Sequence, residues 1–299
     1  MSVQPFSSVV VGTDFSACSR VALSQALRIA KWSSGVVHAV HVIDTHVVVD
    51  MEMSLTPLQK SIRDGLEQSA KQRWSAFAAG VPGAEKLELE VSINNRMLGI
   101  LGRAKEDKAD LLVLGAFGDR KPDVGFGSVA GACVRKAHCD VLLVREFQEG
   151  PFKTILAAVD FSPTSARALA RAAQIASKEG AKLHVVHIYQ SPWQQVALGE
   201  TLIAIPPEDE VRYRTDLERQ LTTFASPILV QQGTTGALAC MEDLGHRHGI
   251  AGIARMLGAE LVVMGTRGRT NLRDMLLGST AERTIAEARC SVLAVRPAD

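Results

Sequence analysis

The sequence predicts an α/β protein of two tandem domains, each built on a parallel sheet with helices on both faces. First, a length of 299 residues suits two domains of roughly 150 residues better than one core. Second, apolar runs of about six residues alternate with longer amphipathic stretches, a pattern typical of βαβ units. Third, the second half repeats the motifs of the first half, which indicates a duplicated fold.

Four segments of the first half recur in the second half in the same order. The first pair, 8–16 and 154–162, is an apolar run that ends in Asp-Phe-Ser. The other pairs are 37–43 with 183–189, 110–115 with 260–265, and 137–145 with 288–296. The repeat predicts one domain over 1–148 and another over 152–299. The linker lies around Gly150-Pro151, because this dipeptide disfavours regular structure.

The first helix of each half is marked by its end signals. Ser162 followed by Pro163 is typical of a helix start, and Gly180 is typical of a left-handed stop. These signals predict a helix over 162–179. In the first half, Ser16 and Gly35 bracket the equivalent helix.

The segment after the second strand of each half has a weaker pattern. Residues 189–207 contain proline and show no clear period, so we expect a loop there, followed by a helix near 208–224. The equivalent segment 44–57 is expected to be a loop as well. Weak patterns near 86–93 and 237–244 predict a third strand in each half, at the edge of the sheet.

Composition and charge exclude several classes of protein. The 33 basic and 32 acidic residues nearly cancel, which argues against a nucleic-acid partner. Five cysteines without a C-x-x-C pair fit a reducing cytoplasm better than a disulfide framework. The N-terminus does not resemble a signal peptide, and no apolar run approaches the roughly 18 residues of a membrane span. We therefore expect a soluble cytoplasmic protein without a membrane partner.

The stretch 264–280 carries the most chemical information. Gly265, Gly268, Gly278 and Ser279 lie between the end of a predicted strand and the start of a helix. Glycines let backbone N–H groups approach an anion, and a helix N-terminus offers further unsatisfied N–H groups with a partial positive charge. The stretch therefore predicts a binding loop for a triphosphate. The alternative is a plain connector in which Ser279 caps the helix and Glu282 completes a capping box.

This stretch resembles the G-x2-G-x9-G-S motif of ATP-binding universal stress proteins, without a gap, and the resemblance covers the whole chain as two tandem family domains. The resemblance implies two flavodoxin-like, or Rossmann-like, domains, each with a five-stranded parallel sheet. It also implies a nucleotide site. In that site Ala158 and Asp160 lie near the adenosine, Ile188 and Met264 against the base, Gly265, Arg267 and Gly268 beside ribose and phosphates, and Gly278, Ser279 and Thr280 around the phosphates.

The first half departs from this motif. Eight residues, rather than nine, separate Gly118 from Gly127, and they include Asp119, Pro122 and Asp123. Carboxylates repel a phosphate, and Phe117 replaces the polar Arg267 of the second half. The residues that would form a weak second site are Asp14, Val42, Gly115, Gly118, Gly127 and Ser128.

We interpret the histidines and cysteines as structural residues. His38 and His41, like their counterparts in the second half, lie three apart on a strand, so each pair faces opposite sides and cannot share a metal. His246 and His248 lack a third ligand in the sequence. The cysteines are expected to behave as small hydrophobic residues. No metal site and no catalytic residue is predicted.

These observations predict a stress-response regulator or sensor that binds ATP, with or without Mg²⁺, in its C-terminal domain. The chain has no G-x4-G-K-[ST] loop, which argues against P-loop ATPase chemistry, so we expect at most weak hydrolysis. One alternative is a slow ATP hydrolase or phosphotransferase that uses the same loop. Another is a structural pseudo-dimer with vestigial sites. The resemblance further implies that the two domains pair internally, and it leaves open a homodimer and an unidentified protein partner.

Overall fold

The computed structural model describes residues 3–54, 59–118, 125–192, 206–243, 249–268 and 277–298. The chain divides into two compact units near residue 150, and each unit is an α/β domain with a parallel sheet. The fold class predicted from the sequence is therefore confirmed. No helix in the described part of the chain is both long and apolar enough to cross a membrane.

The first half alternates strands and helices along its whole length. Its elements are β1 (Ser8–Gly12), α1 (Ala17–Ser33), β2 (Val36–Asp44), α2 (Thr45–Ser54), α3 (Gln59–Ala78), a 3₁₀ turn (Ala84–Lys86), β3 (Leu89–Asn94), α4 (Arg96–Glu106), β4 (Leu111–Gly115), α5 (Ser128–Lys136) and β5 (Asp140–Val144). The strands lie in the order β3-β2-β1-β4-β5, and all four pairings are parallel.

The second half repeats this arrangement. Its elements are β6 (Thr154–Val159), α6 (Pro163–Glu179), β7 (Lys182–Tyr189), α7 (Pro207–Gln231), β8 (Ala237–Glu242), α8 (Ile250–Met256), β9 (Leu261–Gly265), α9 (Ser279–Glu287) and β10 (Ser291–Val295). The strand order is β8-β7-β6-β9-β10, with parallel pairing of β6 to β7 and β9 and of β7 to β8.

The strand order corrects one detail of the expectation. Counted along each half it is 3-2-1-4-5, the order of the Rossmann fold, whereas flavodoxin-like sheets have the order 2-1-3-4-5. Apolar runs predict how many strands there are but not which strands pair, so the sequence could not separate the two orders. The order reverses between β6 and β9, and ligands of such sheets bind in the crevice at the carboxyl ends of the strands at this point.

The central strands explain the continuous apolar runs in the sequence. Val9, Val10 and Val11 of β1 are fully buried, as are Leu261, Val262 and Val263 of β9. Successive side chains of a strand point to opposite faces, so both faces of each sheet must be covered. Helices on both faces provide that cover, as the sequence predicted.

The prediction of a loop over 44–57 is wrong, because Thr45–Ser54 form helix α2. Three consecutive valines, which are poor helix formers, hid it in the sequence. Tertiary contacts stabilise it: the Asp44 carboxylate accepts a 3.0 Å hydrogen bond from the His46 N–H, Val48 is buried, and Glu52 pairs with Arg63 of α3 at 2.7 Å.

The expected ends of two other helices are refined, and that of a third is confirmed. Helix α7 runs through Pro227 to Gln231, beyond the expected end near residue 224. Gly180 ends α6 with a φ of 66°, as expected. In α1, however, the left-handed residue is Ser34, with a φ of 56°, and not Gly35. Gly35 is needed for another reason, because a Cβ there would lie 2.2 Å from the carbonyl oxygen of Phe6.

Replacing Ser34 by glycine is expected to stabilise the first half by about 0.5–1 kcal/mol, because glycine adopts a left-handed conformation without the steric cost that a Cβ brings. The midpoint of urea unfolding, followed by tryptophan fluorescence, measures the change. Ser33→Gly is the matched control, since Ser33 is the last helical residue and glycine there should destabilise by a similar amount. A lower midpoint for Ser34→Gly would contradict the assignment of Ser34 as the helix stop.

Candidate functional site

A cavity of about 720 Å³ opens in the second half, where β6, β7 and β9 end. The structure brings all ten residues that the sequence proposed for the second half to the wall of this cavity. They are Ala158, Asp160, Ile188, Met264, Gly265, Arg267, Gly268, Gly278, Ser279 and Thr280. A cavity of this size is typical of a site for a small molecule.

The turn between β6 and α6 forms one wall and is rigidly held. Asp160 Oδ1 accepts a 3.0 Å hydrogen bond from the Ser162 N–H, and Ser162 Oγ caps α6 by accepting from the Ser165 N–H at 3.1 Å. Between them, Phe161 has a φ of 64°. This left-handed conformation is rare for a bulky residue, and two contacts stabilise it: the Phe161 ring lies 4.2 Å from the His187 ring, and 5.4 Å from the ring of Phe224.

The opposite wall is the loop that follows β9, which packs directly against this turn. A Cβ on Gly268 would lie 2.7 Å from Asp160 Oδ2, and a Cβ on Gly265 would lie 2.9 Å from Thr164 Cγ2. Both distances are shorter than ordinary contacts, so these positions accept only glycine without rearrangement. The close approach places the Gly268 backbone beside the Asp160 carboxylate.

The N-terminus of α9 closes the third side. Its N-cap is Gly278, which has an extended conformation and no side-chain cap. The expected capping box is therefore wrong: Ser279 is the first helical residue and not the cap, and Glu282 uses its own N–H to reach Gly278 O at 2.9 Å. Ser279 and Thr280 are exposed to the cavity side of the helix. Without a side-chain cap, the first turn presents its N–H groups to an anion.

Several further residues, which the sequence did not predict, line the cavity. Tyr189 is the last residue of β7 and Asp243 follows β8, and a 2.8 Å hydrogen bond from Asp243 N to Tyr189 O joins them. Burial raises the pKa of the Tyr189 hydroxyl, so it remains a neutral donor at physiological pH. Arg283 and Glu287 line the α9 side and form a 3.0 Å ion pair. Arg283 could have been found in the sequence, because it lies four residues after Ser279 and residues four apart share one face of a helix.

The six weaker candidates of the first half repeat part of this geometry. Asp14 Oδ1 accepts a 3.0 Å hydrogen bond from the Ser16 N–H, and a Cβ on Gly118 would lie 2.7 Å from Asp14 Oδ2. Gly127 is the N-cap of α5, which starts at Ser128. A Cβ on Gly115 would collide with α1, and Val42 is buried against Gly99 of α4. Asp119, Pro122 and Asp123 lie outside the described residues.

The strand histidines contact the protein and not each other. His41 Nδ1 lies 2.8 Å from the carbonyl oxygen of Thr13, and its ring lies 4.6 Å from Phe15. His38, on the other face, lies 3.5 Å from Asp107. His187 repeats the first arrangement, with Nδ1 2.9 Å from Val159 O. His246 and His248 lie outside the described residues.

Acidification is expected to destabilise the first half through His41. Burial is the largest cause that lowers the pKa of His41, with Arg73 and Arg96 contributing, while Thr13 O and Asp14 oppose the shift. The unfolded chain therefore takes up the proton first as the pH falls through about 6.5, so stability falls below that pH. Urea unfolding between pH 7.5 and 5 measures the slope for wild type and His41→Gln.

The control for this measurement is His138→Gln, which removes an exposed histidine and leaves the stacked ring in place. His41→Gln should flatten the slope relative to that control. Identical slopes for the two variants would show that His41 does not carry the dependence on pH.

The cysteines are free thiols. Burial raises the pKa of Cys133 to about 12 and that of Cys240 to about 11. Since only the thiolate is a good nucleophile, these two side chains are unreactive at neutral pH, in line with the interpretation of the cysteines as small hydrophobic residues.

Comparison with known proteins places both halves in one family. The model of the universal stress protein family matches residues 5–145 and 151–296. Universal stress protein A homolog 1 of Coxiella burnetii is 36% identical over 146 residues, which cover 48% of this chain and 96% of that protein. The universal stress protein Rv2623 of Mycobacterium tuberculosis is 26% identical over 306 residues, with 96% of each chain covered.

Solved structures show the same fold over both halves. A putative universal stress protein from Pseudomonas aeruginosa has a TM-score of 0.64 at 21% identity and covers 98% of this chain and 94% of its own. A universal stress protein from Archaeoglobus fulgidus has a TM-score of 0.64 at 19% identity and covers 97% of this chain and 98% of its own. At these identities the likeness bears on the fold alone.

Proposed function

The chain belongs to the universal stress protein family, and on that premise we propose that its domain 152–299 binds ATP in the cavity between the β6–α6 turn and the N-terminus of α9. We further propose that ATP acts there as a regulatory ligand in a stress response. The observation that carries this proposal is that all ten candidate residues line one cavity, although they come from four separate segments of the chain.

The phosphate end of the cavity suits a polyanion. The loop backbone at Gly265 and Gly268 lies too close to the β6–α6 turn for side chains, so backbone atoms border the space there. The first turn of α9 adds N–H groups and the positive end of the helix dipole. Arg267 and Arg283 line the same region and supply positive charge. Together these groups offer many donors to a triphosphate, and Mg²⁺ would enter with the phosphates.

The other end of the cavity suits an adenosine. Ile188 of β7 and Met264 of β9 line it together with Ala158 of β6, and apolar side chains of this kind pack against the faces of a base. The Tyr189 and Asp243 side chains border the same end and provide a donor and an acceptor for the polar edge of a ligand. An apolar pocket with a few convergent polar groups is typical of small-molecule sites.

The geometry favours binding over turnover. Asp160, the carboxylate beside the phosphate loop, already accepts a hydrogen bond from Ser162 N and holds the turn in place. Its Oδ2 faces the Gly268 backbone. A general base must reach the proton that it removes, and this carboxylate is placed to fix the loop. We therefore interpret Asp160 as a structural and ligand-orienting residue.

A titration of the folded chain with ATP tests the proposed function. Isothermal titration calorimetry should show saturable binding, and ATP should raise the melting temperature, since a ligand that binds only the folded state stabilises it. Circular dichroism confirms folding of the same sample. A flat titration with folded protein would reject the proposal.

A slow hydrolase or phosphotransferase would use the same site. A single-turnover experiment distinguishes this alternative from a regulatory role of ATP. With enzyme in excess over radiolabelled ATP and Mg²⁺, a regulatory ligand remains ATP over hours. Steady formation of ADP that the Gly278→Val variant abolishes would establish the enzymatic alternative instead.

We propose that the protein is cytoplasmic. Five free cysteines fit a reducing compartment, where thiols are not oxidised to disulfides. Pairing of two chains stays a prediction, which light scattering coupled to size-exclusion chromatography would test.

A further inference from the structure

Two aromatic rings and one arginine pack together in the first half, around the position that matches a cavity-lining residue of the second half. Phe117 stands where the second half has Arg267, and Phe126 precedes Gly127 as Leu277 precedes Gly278. The two rings stack with centroids 6.2 Å apart and an interplanar angle of 17°. The Arg145 guanidinium carbon lies 4.7 Å from the Phe117 centroid and 5.0 Å from that of Phe126.

Hydrogen bonds tie this cluster to the surrounding elements. Arg145 Nη2 donates to the carbonyl oxygen of Gly125 at 2.9 Å, which holds the start of the described loop against the end of β5. On the other side, Ser16 Oγ donates to the carbonyl oxygen of Phe117 at 3.3 Å. Ser16 belongs to the β1–α1 turn that also carries Asp14. Phe117 is therefore tied to the β1–α1 turn, and Gly125 to the residue that follows β5.

The residues around Phe117 are also more apolar than their counterparts in the second half. Cys18 and Ala116 form a buried apolar cluster with Phe117, and Phe126 packs against it. In the second half the matching positions are Thr164 and Thr266. Three polar side chains, the two threonines and Arg267, are thus replaced by apolar ones. A phosphate that entered this region would lose its hydration and meet apolar surface, which is costly for a charged group.

The positive charge of Arg145 does not restore an anion site. The side chain is buried, with 5% of its surface exposed. Its planar face lies over the two rings, a favourable cation–π arrangement, and one of its amino groups is bound to Gly125 O. An incoming phosphate would have to displace these contacts to reach the charge.

We infer that the first half fills its own site with the side chain of Phe117, which Phe126 and Arg145 hold in place, so that each chain takes up one nucleotide and only in its second half. The binding of one nucleotide by the second half rests on the proposed function. The absence of nucleotide from the first half does not rest on it. The response to ATP then belongs to the second half alone.

Counting bound ATP on the full chain tests this inference. Equilibrium dialysis with labelled ATP should give one nucleotide per wild-type chain and none per Gly278→Val chain. Two nucleotides per wild-type chain, or one remaining on Gly278→Val, would overturn the inference while leaving nucleotide binding by the family fold intact. A wild-type count of zero would contradict the proposed function, and the stability measurement below would then decide the inference.

The cluster should also stabilise the first half, because its side chains fill space that would otherwise be empty without a ligand. Phe117→Ala is expected to lower the melting temperature of the first half by about 10 °C, the loss typical of a buried phenylalanine. Phe147→Ala is the matched control, since Phe147 has 66% of its surface exposed, and it should leave the melting temperature almost unchanged. An unchanged melting temperature for Phe117→Ala would overturn the inference.

Discussion

Gly278→Val is expected to lower the affinity for ATP by at least about 100-fold, which corresponds to a loss of about 3 kcal/mol of binding free energy. A Cβ at this position would lie 3.5 Å from Thr266 O and 4.0 Å from the backbone nitrogen of Gly268. The valine side chain would therefore cover the Gly268 N–H and fill the space in front of α9. Calorimetric titration with ATP measures the affinity.

The fold should tolerate this substitution, which makes the loss of affinity interpretable. Gly278 has a φ of −71°, which any residue adopts, and the two nearest atoms are at ordinary contact distances. We expect the melting temperature to fall by a few degrees only, because valine is a poorer N-cap than glycine. If the Gly278→Val variant unfolds, the space beside Gly278 is required for folding and not only for binding of ATP.

Gly127→Val in the first half is the matched control. Gly127 is the N-cap of α5 in an extended conformation, and a Cβ there would lie 3.5 Å from Ala116 O, as in the second half. This variant should bind ATP as wild type does. Affinity that survives in Gly278→Val but is lost in Gly127→Val would place the nucleotide in the first half and contradict the proposed site.

The site was predictable to the extent that its geometry is local. Gly265 and Gly268 are determined by how closely the backbone approaches neighbouring atoms, and their spacing to Gly278 is visible in the sequence. Tyr189 and Asp243 reach the cavity because β7 and β8 end side by side, a relation between strands that no local pattern encodes. The strand order itself depends on pairings between distant segments, and for that reason it was not predictable.

The helices show the same difference between features that local sequence determines and features that depend on tertiary contacts. Ser162, Pro163 and Gly180 determine α6 through their own conformational preferences, and the structure confirms them. Helix α2 instead depends on tertiary contacts, above all the burial of Val48 and the pairing of Glu52 with Arg63. These contacts outweigh the low helix propensity of its three valines. The capping box failed because Gly278, and not Ser279, has the extended conformation that an N-cap requires.

Gly35→Ala is expected to destabilise the first half by about 3 kcal/mol, although the second half has alanine at the matching position, Ala181. A Cβ on Gly35 would lie 2.2 Å from Phe6 O and 3.1 Å from Ser7 O. Both are backbone atoms at the start of β1, so no side-chain rotation relieves the collision, and overpacking of this kind costs about 1–3 kcal/mol or more.

Urea unfolding followed by tryptophan fluorescence measures this loss, because Trp32 of α1 lies 6.2 Å from the Phe6 ring and reports on the affected region. Gly102→Ala is the matched control, since a Cβ at that position of α4 meets nothing within 4 Å; alanine should stabilise the helix there by about 1 kcal/mol. Equal midpoints for Gly35→Ala and wild type would mean that β1 and α1 can separate freely.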